Sequence, residues 1–218
     1  MTLSVDLFWS FRSPYSYLAL PKTVKLVETY DLQVNARPVY PLAVRVPGFF
    51  KRTNPQFARY VMLDSTRVAE REGIPYHFPR PDPIVQDMAT LEVAAEQPYI
   101  HRLTRLGAAA QAAGRGLSFI HAVASVMWDG TVVGWHEVDH LARAAERAGF
   151  DLAQMEAEVA ADTPRIDAII EENERAHAAS GHWGVPTFAF NGEPFFGQDR
   201  IDMLEWRLQQ KGLKRRDA

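Results

Sequence analysis

The hydrophobic pattern switches from strand-like alternation to helical spacing and back at the start of the chain, and returns to strands near its end. This order restricts the fold more than any single motif. Val5 to Ser10 reads as a strand, and Tyr17, Leu18, Leu20, Val24 and Val27 then recur at helical spacing between Pro14 and about Tyr30. Gln33 to Tyr40 reads as a strand again, and strand, helix, strand predicts a right-handed crossover and a parallel pair. Residues 41–56 ("PLAVRVPGFFKRTNPQ") hold three prolines and a glycine without sustained periodicity and are expected to be loop. From Phe57 to about Ser180 the pattern is helical, including "DMATLEVAAE" at 87–96 and "HEVDHLARAAERAG" at 136–149. "PTFAFNGEPFFG" at 186–197 then gives two short strands around Asn191-Gly192, a dipeptide suited to the positive φ angles of a type I′ turn. A closing helix from Arg200 to about Gln210 buries Ile201, Leu204 and Leu208.

The sum is βαβ, a helical insertion, then ββα, which is the order of an α/β, thioredoxin-like fold interrupted by helices. The expected division is a thioredoxin-like domain from 1–52 and 181–218 and an all-helical insertion domain from 53–180. In thioredoxin-like folds a Cys-x-x-Cys pair occupies the first strand-to-helix corner, yet here Ser13 and Ser16 hold those positions and the 218 residues include no cysteine. Redox exchange, disulfides and metal sites built on the chain's own sulfur are thereby excluded. A formal charge of −3 gives no pull toward nucleic acid, whose binders carry a strongly basic face. The basic residues Lys211, Lys214, Arg215 and Arg216 read as the solvated end of the last helix. No stretch approaches membrane-spanning length and the first residues lack a basic, then apolar, leader pattern, so a cytoplasmic location is expected.

Three short segments carry chemistry, each with a plainer structural reading beside it. Ser13-Pro14 is a favoured helix start, serine as N-cap and proline as first helical residue; a helix N-terminus also stabilises an anion, and a hydroxyl there can donate to one. Pro186, in Trp183-Gly184-Val185-Pro186-Thr187, must sit at an edge or turn, and a cis peptide bond fits that place. Asp199, in Gly197-Gln198-Asp199-Arg200, is placed to cap the last helix and to reach the amino group of a peptide-like ligand, two roles that can coexist.

Taken together, "SPYSYLA" at 13–19, "REGIPYHFP" at 71–79 and "WGVPTFAFNGEPFFGQDRIDML" at 183–204 resemble the 2-hydroxychromene-2-carboxylate isomerase family, relatives of kappa-class glutathione transferases with a DsbA-like thioredoxin fold. The resemblance spans nearly the whole chain. It implies glutathione as cofactor, with the missing sulfur supplied by the ligand. By motif, Ser13 would hydrogen-bond the glutathione sulfur, Val185 and Pro186 would pair with the cysteinyl backbone, and Asp199 and Arg200 would contact the glutamyl end. Asn54 resembles the family's ligand-binding asparagine, on a loop that looks shortened. The resemblance also implies a small-molecule substrate and a homodimer. A free thiol titrates at about 8.5, and each unit of depression is worth about 1.4 kcal/mol of anion stabilisation, so a helix terminus and one hydroxyl are expected to supply roughly one or two units. The chain departs from many relatives in having Ser10 in place of aspartate and in placing Arg12 beside the corner, where its charge either favours a thiolate or reads an acidic substrate.

Other readings stand beside this one. His136-Glu137-Val138-Asp139-His140 matches H-E-x-x-H, in which two histidines one helical turn apart hold zinc and the glutamate acts as base, with Glu156 or Glu158 as nominal third ligand. The expectation for the metal is none. A cysteine-free thioredoxin fold also serves as a non-catalytic binding module, and a kappa-like transferase or peroxidase would use the same thiol differently. Trp183 and Phe196 flank the expected site and suit an apolar substrate pocket.

Overall fold

The computed structural model describes residues 2–87, 90 and 92–216. Strand β1 (Leu3–Trp9) leads into helix α1 (Pro14–Thr29) and strand β2 (Leu32–Pro38). Six further long helices separate this unit from the last strands: α4 (Pro55–Glu72), α5 (Pro98–Ala112), α6 (Gly116–Trp128), α7 (His140–Arg147), α8 (Leu152–Ala161) and α9 (Thr163–Ala179), with two single turns, α2 (Leu42–Arg45) and α3 (Phe49–Arg52), before them. Strands β3 (Thr187–Phe190) and β4 (Glu193–Phe196) follow, then a 3-10 turn at Gln198–Arg200 and helix α10 (Ile201–Gln210).

The sheet order is β2-β1-β3-β4. β1 and β2 are parallel, in register from Leu3 opposite Leu32 to Trp9 opposite Pro38, as the crossover predicts. β3 runs antiparallel to β1 and pairs with β4, giving the thioredoxin-like sheet expected from the element order. Asn191 and Gly192 both adopt positive φ, 50° and 82°, which is the type I′ geometry the dipeptide suits. β1 alternates little because both of its faces are covered: Val5, Leu7, Phe8 and Trp9 are all buried. α5 and α6 lie close on β2 because glycine faces it; a Cβ on Gly107 would stand 3.0 Å from Pro38 Cγ, and one on Gly116 3.2 Å from the Ala36 carbonyl. One core runs through sheet and helices alike, joining Leu7, Trp9 and Phe11 to Ile100, Leu103, Phe119, Trp128 and Trp135. Two buried indoles pin the corner between β1 and α1: Trp9 Nε1 donates to the Ser16 carbonyl at 2.8 Å and Trp128 Nε1 to that of Phe11 at 3.0 Å.

Four expectations are corrected. Residues 41–56 are not loop throughout but contain the turns α2 and α3. The described part of "DMATLEVAAE" is irregular, held by a bridge between Gln86 and Val93 and by Gln97, whose side chain bonds Val85 and Ala94; Met88, Ala89 and Leu91 lie outside the described residues. Its helical spacing is overridden by these tertiary bonds. The helix expected from His136 begins only at His140. The basic tail does not simply end α10 in solvent: Arg216 Nε donates to the carbonyls of Val27 and Tyr30, placing a cation at the negative end of α1. Among the described residues no helix is long and apolar enough to cross a membrane.

Candidate active site

The corner is assembled by topology, since β1 and β3 are neighbours and their ends bring Ser13 against Val185, 172 residues away in sequence. Ser13 caps α1 with extended backbone (φ −84°, ψ 119°), its Oγ accepting from the Ser16 amide at 3.2 Å. The same hydroxyl donates to the Val185 carbonyl at 3.2 Å. The capping and the ligand-facing readings are therefore compatible, because one oxygen accepts from the helix while its proton points across the cleft. α1 has 16 residues, long enough to present a full partial positive charge at this end. Ser16, the second position of the missing sulfur pair, is fully buried with its hydroxyl unpartnered, as is that of Ser10. Of the three, only Ser13 is partly exposed and has a hydrogen-bonded hydroxyl.

The Val185–Pro186 bond is cis, as the sequence suggests. Among the described residues no hydrogen bond occupies the Val185 amide. Behind it, the Gly184 carbonyl accepts from Thr187 Oγ1 at 2.7 Å and from His177 Nε2 at 2.8 Å, and the Gly184 amide donates to His182 Nδ1. His177 is buried and stacked on Phe8, and desolvation, with Arg45 and His182 nearby, pulls its pKa down to about 4, so it stays neutral. The Gly197 amide donates to the Pro186 carbonyl at 2.9 Å, setting the Gln198–Arg200 turn against the same loop. Asp199 and Arg200 are there, exposed and paired at 3.0 Å. Asp199 does not cap α10; it lies inside the 3-10 turn, and no side chain caps α10. Asn54 Oδ1 caps α4 by accepting from the Gln56 amide, and among the described residues no hydrogen bond joins it to Ser13, Val185 or Asp199.

The rim divides into a polar and an aromatic side. Arg12 forms a two-pronged pair with Asp82, at 3.1 and 2.9 Å, and lies over the Phe50 ring, so its charge is already met by a carboxylate. Tyr15 donates to Asp64 Oδ2 at 2.7 Å and Tyr60 to Oδ1 at 3.3 Å, and burial holds the Tyr15 hydroxyl protonated. On the other side His182 stacks on Phe196 at 3.8 Å and on Trp183 at 5.5 Å, with Phe49 beyond Trp183 at 6.2 Å. Trp183 and Phe196 remain 55% and 41% exposed, enough free aromatic surface to take a planar ligand. Sequence reasoning missed Asp64, His177 and Arg45; Arg45 lay inside a stretch read as loop, and nothing in the spacing of Asp64 or His177 marks them.

The H-E-x-x-H string does not assemble. Residues 136–139 are turn, Val138 takes φ 51°, and His136 packs between Tyr99 and Trp135, so the two histidines do not share a helical face. Glu156 is paired with Arg102. Among the described residues no group of three or more His, Asp or Glu side chains is placed to hold a metal ion. Two surface clefts, of ≈ 530 and ≈ 640 Å³, flank Ala95–Gln97; neither is lined by Ser13, Val185 or Asp199, and their arginines Arg102 and Arg105 are paired with Glu156 and Asp167.

Comparison with known proteins agrees with this geometry. Residues 4–209 match the model of the DSBA-like thioredoxin domain family. A curated 2-hydroxychromene-2-carboxylate isomerase of Pseudomonas putida is 27% identical over 215 residues, covering 92% of each chain. Among solved structures, a 2-hydroxychromene-2-carboxylate isomerase superposes with a TM-score of 0.65 at 24% identity over 96% of both chains. The cytosolic disulfide reductase DsbM of Pseudomonas aeruginosa, solved with GSH, gives 0.58 at 17% identity over 95% of this chain and all (100%) of its own.

Proposed function

The chain belongs to the DSBA-like thioredoxin domain family, and we propose that it is a glutathione-dependent isomerase of the 2-hydroxychromene-2-carboxylate type. The observation that carries this is the hydroxyl of Ser13 at the N-terminus of α1, within hydrogen-bonding distance of the residue before a cis-proline, in a chain without sulfur at either redox position. Such a corner can stabilise a thiolate but not supply one. Its relatives' names point to isomerisation.

The residues present suit the tripeptide. The open Val185 amide and the Val185 carbonyl offer an edge for the cysteinyl backbone, and Asp199 and Arg200 offer one charge of each sign to an α-amino acid end. Ser13 gives its proton to Val185 in the free chain, so binding requires the hydroxyl to turn from that carbonyl to the sulfur while its lone pair keeps the Ser16 amide capped. When bound, glutathione supplies a nucleophile that adds reversibly to an electrophilic carbon of the substrate, allows ring opening and rotation, and leaves unchanged. Trp183 and Phe196 provide the apolar surface for the substrate ring, and Tyr15, whose one O–H is donated to Asp64, leaves a fixed acceptor oxygen on the first turn of α1. In this reading the sheet-bearing part, 1–52 and 181–218, holds the thiol, and the helical part, 53–180, shapes the substrate side of a homodimeric enzyme. The reading also puts the protein in the cytoplasm, a reducing compartment where glutathione stays a thiol.

Calorimetric titration with glutathione, followed by thiolate absorbance of the complex against pH, tests it. Saturable binding with a thiol pKa lowered by roughly one to two units is expected. No binding would sink the proposal. On a panel of chromene-type substrates, a product of unchanged mass marks isomerisation and a glutathione adduct marks the transferase alternative.

A further inference from the structure

Two arginines of this region are spoken for, Arg12 beside Ser13 by Asp82 and Arg200 by Asp199. Arg45, the last residue of α2, is different. Its Nε donates to the Tyr40 carbonyl at 2.6 Å and its Nη2 to that of Trp183 at 3.3 Å, and among the described residues no carboxylate lies within 4 Å of it. The nearest acid, Glu174, is turned to the Tyr40 amide at 3.2 Å, and burial raises its pKa. Burial also makes the charge of Arg45 costly, lowering its pKa. A half-buried guanidinium fixed by two backbone carbonyls, whose carboxylate partner Glu174 attracts it without touching it, is preorganised for an anion in direct contact.

The direction of the bound tripeptide says which anion. In the reading proposed above, on which this inference rests, the cysteinyl unit pairs with Val185 and the glutamyl end lies at Asp199 and Arg200. The bond from the Gly197 amide to the Pro186 carbonyl puts those two residues on the C-terminal side of Val185. The ligand therefore runs antiparallel to the loop, and its glycyl end continues past Gly184 toward Trp183. An extended chain advances roughly 3.4 Å per residue, so the terminal carboxylate comes level with the Trp183 carbonyl, the group to which Arg45 is bonded.

We propose that Arg45 is a ligand-binding residue that receives the glycyl carboxylate of the thiol tripeptide. Together with the pair at Asp199 and Arg200 it makes the site a gauge of length, reading both charged ends with the sulfur fixed between them. The glycyl ester of glutathione, which keeps the glutamyl end but not the terminal carboxylate, then loses one of the two ends.

The test compares binding of glutathione with that of its glycyl monoethyl ester, by calorimetry, in the wild type and in Arg45→Met. The wild type is expected to bind the free acid roughly ten- to a hundredfold more tightly than the ester, the range of a charge-assisted pair. In Arg45→Met the two ligands are expected to bind alike, with the affinity for glutathione reduced to that for the ester. If Arg45→Met does not fold, Arg45→Gln, which can still donate to the Tyr40 carbonyl, takes its place with the same expectation. Equal binding of acid and ester by the wild type would overturn the proposal, as would preference for the acid that survives in the variant. In either of those cases glutathione still binds, and the broader reading stands. Failure of the wild type to bind glutathione at all removes both.

Discussion

Two segments of this chain look catalytic in sequence, and they fare oppositely in three dimensions. The H-E-x-x-H string places five consecutive residues together, yet they form a turn in which the histidines diverge and His136 is absorbed between Tyr99 and Trp135. The corner at Ser13 draws on residues from opposite ends of the chain, and it is held by the sheet, by the cap of α1 and by the bonds around Gly184. Adjacency in sequence did not bring the histidines together; the antiparallel pairing of β1 with β3 brought Ser13 and Val185 together across 172 residues. The difference is visible in the histidines as well, since His177 is buried behind the corner whereas His140 merely starts a surface helix.

The largest effect that separates the two regions is expected in acid. His177 is held neutral, with a pKa of about 4 against 6.5 unfolded, so the unfolded chain binds more protons between those values and stability falls as pH drops through the window. The loss is on the order of 3 kcal/mol, fully developed only below about pH 4. His101, His121 and His182 are shifted the same way by burial, so the readout is the difference between wild type and His177→Gln in urea midpoints from pH 7 to 4. Parallel curves would mean the corner is not braced by this residue. Next in size is Ser13→Ala. If the hydroxyl turns from Val185 to a bound thiolate as proposed, its loss is expected to lower turnover about tenfold or more and raise the pKa of that thiol, while the missing cap removes about 1 kcal/mol of stability. Turnover equal to wild type would place the chemistry elsewhere. Smallest is Glu137→Ala, the would-be base of the zinc motif, whose exposed side chain should leave turnover unchanged and stability within about 0.5 kcal/mol. A large loss there would revive the rival segment.

Much of the architecture was legible because it rests on local rules. Ser13-Pro14 starts a helix, Asn191-Gly192 makes a type I′ turn, and Ile201, Leu204 and Leu208 mark one buried face, each for reasons contained within a few residues. What could not be read was decided by distant partners. Gln97 clamps a segment whose spacing is helical, and the turns α2 and α3 form in a proline-rich stretch that has no periodicity of its own. The same holds for the site. Ser13 and Pro186 belong to recognisable strings, whereas Arg45 and His177 matter only because Trp183 and Gly184 fold against them. Asp199 was half legible: its position beside Pro186 follows from the Gly197 bond, but the capping role does not, because a 3-10 turn intervenes before α10.

Hydroxyls at positions 13 and 16 give this corner a property that a pair of thiols lacks. Peroxide has nothing at this corner to convert into a bridge or an acid; the sulfur it meets on the protein is that of methionines such as Met62 and Met203, both about half exposed. The corner itself therefore stays as it is under oxidant and needs no reductase to restore it.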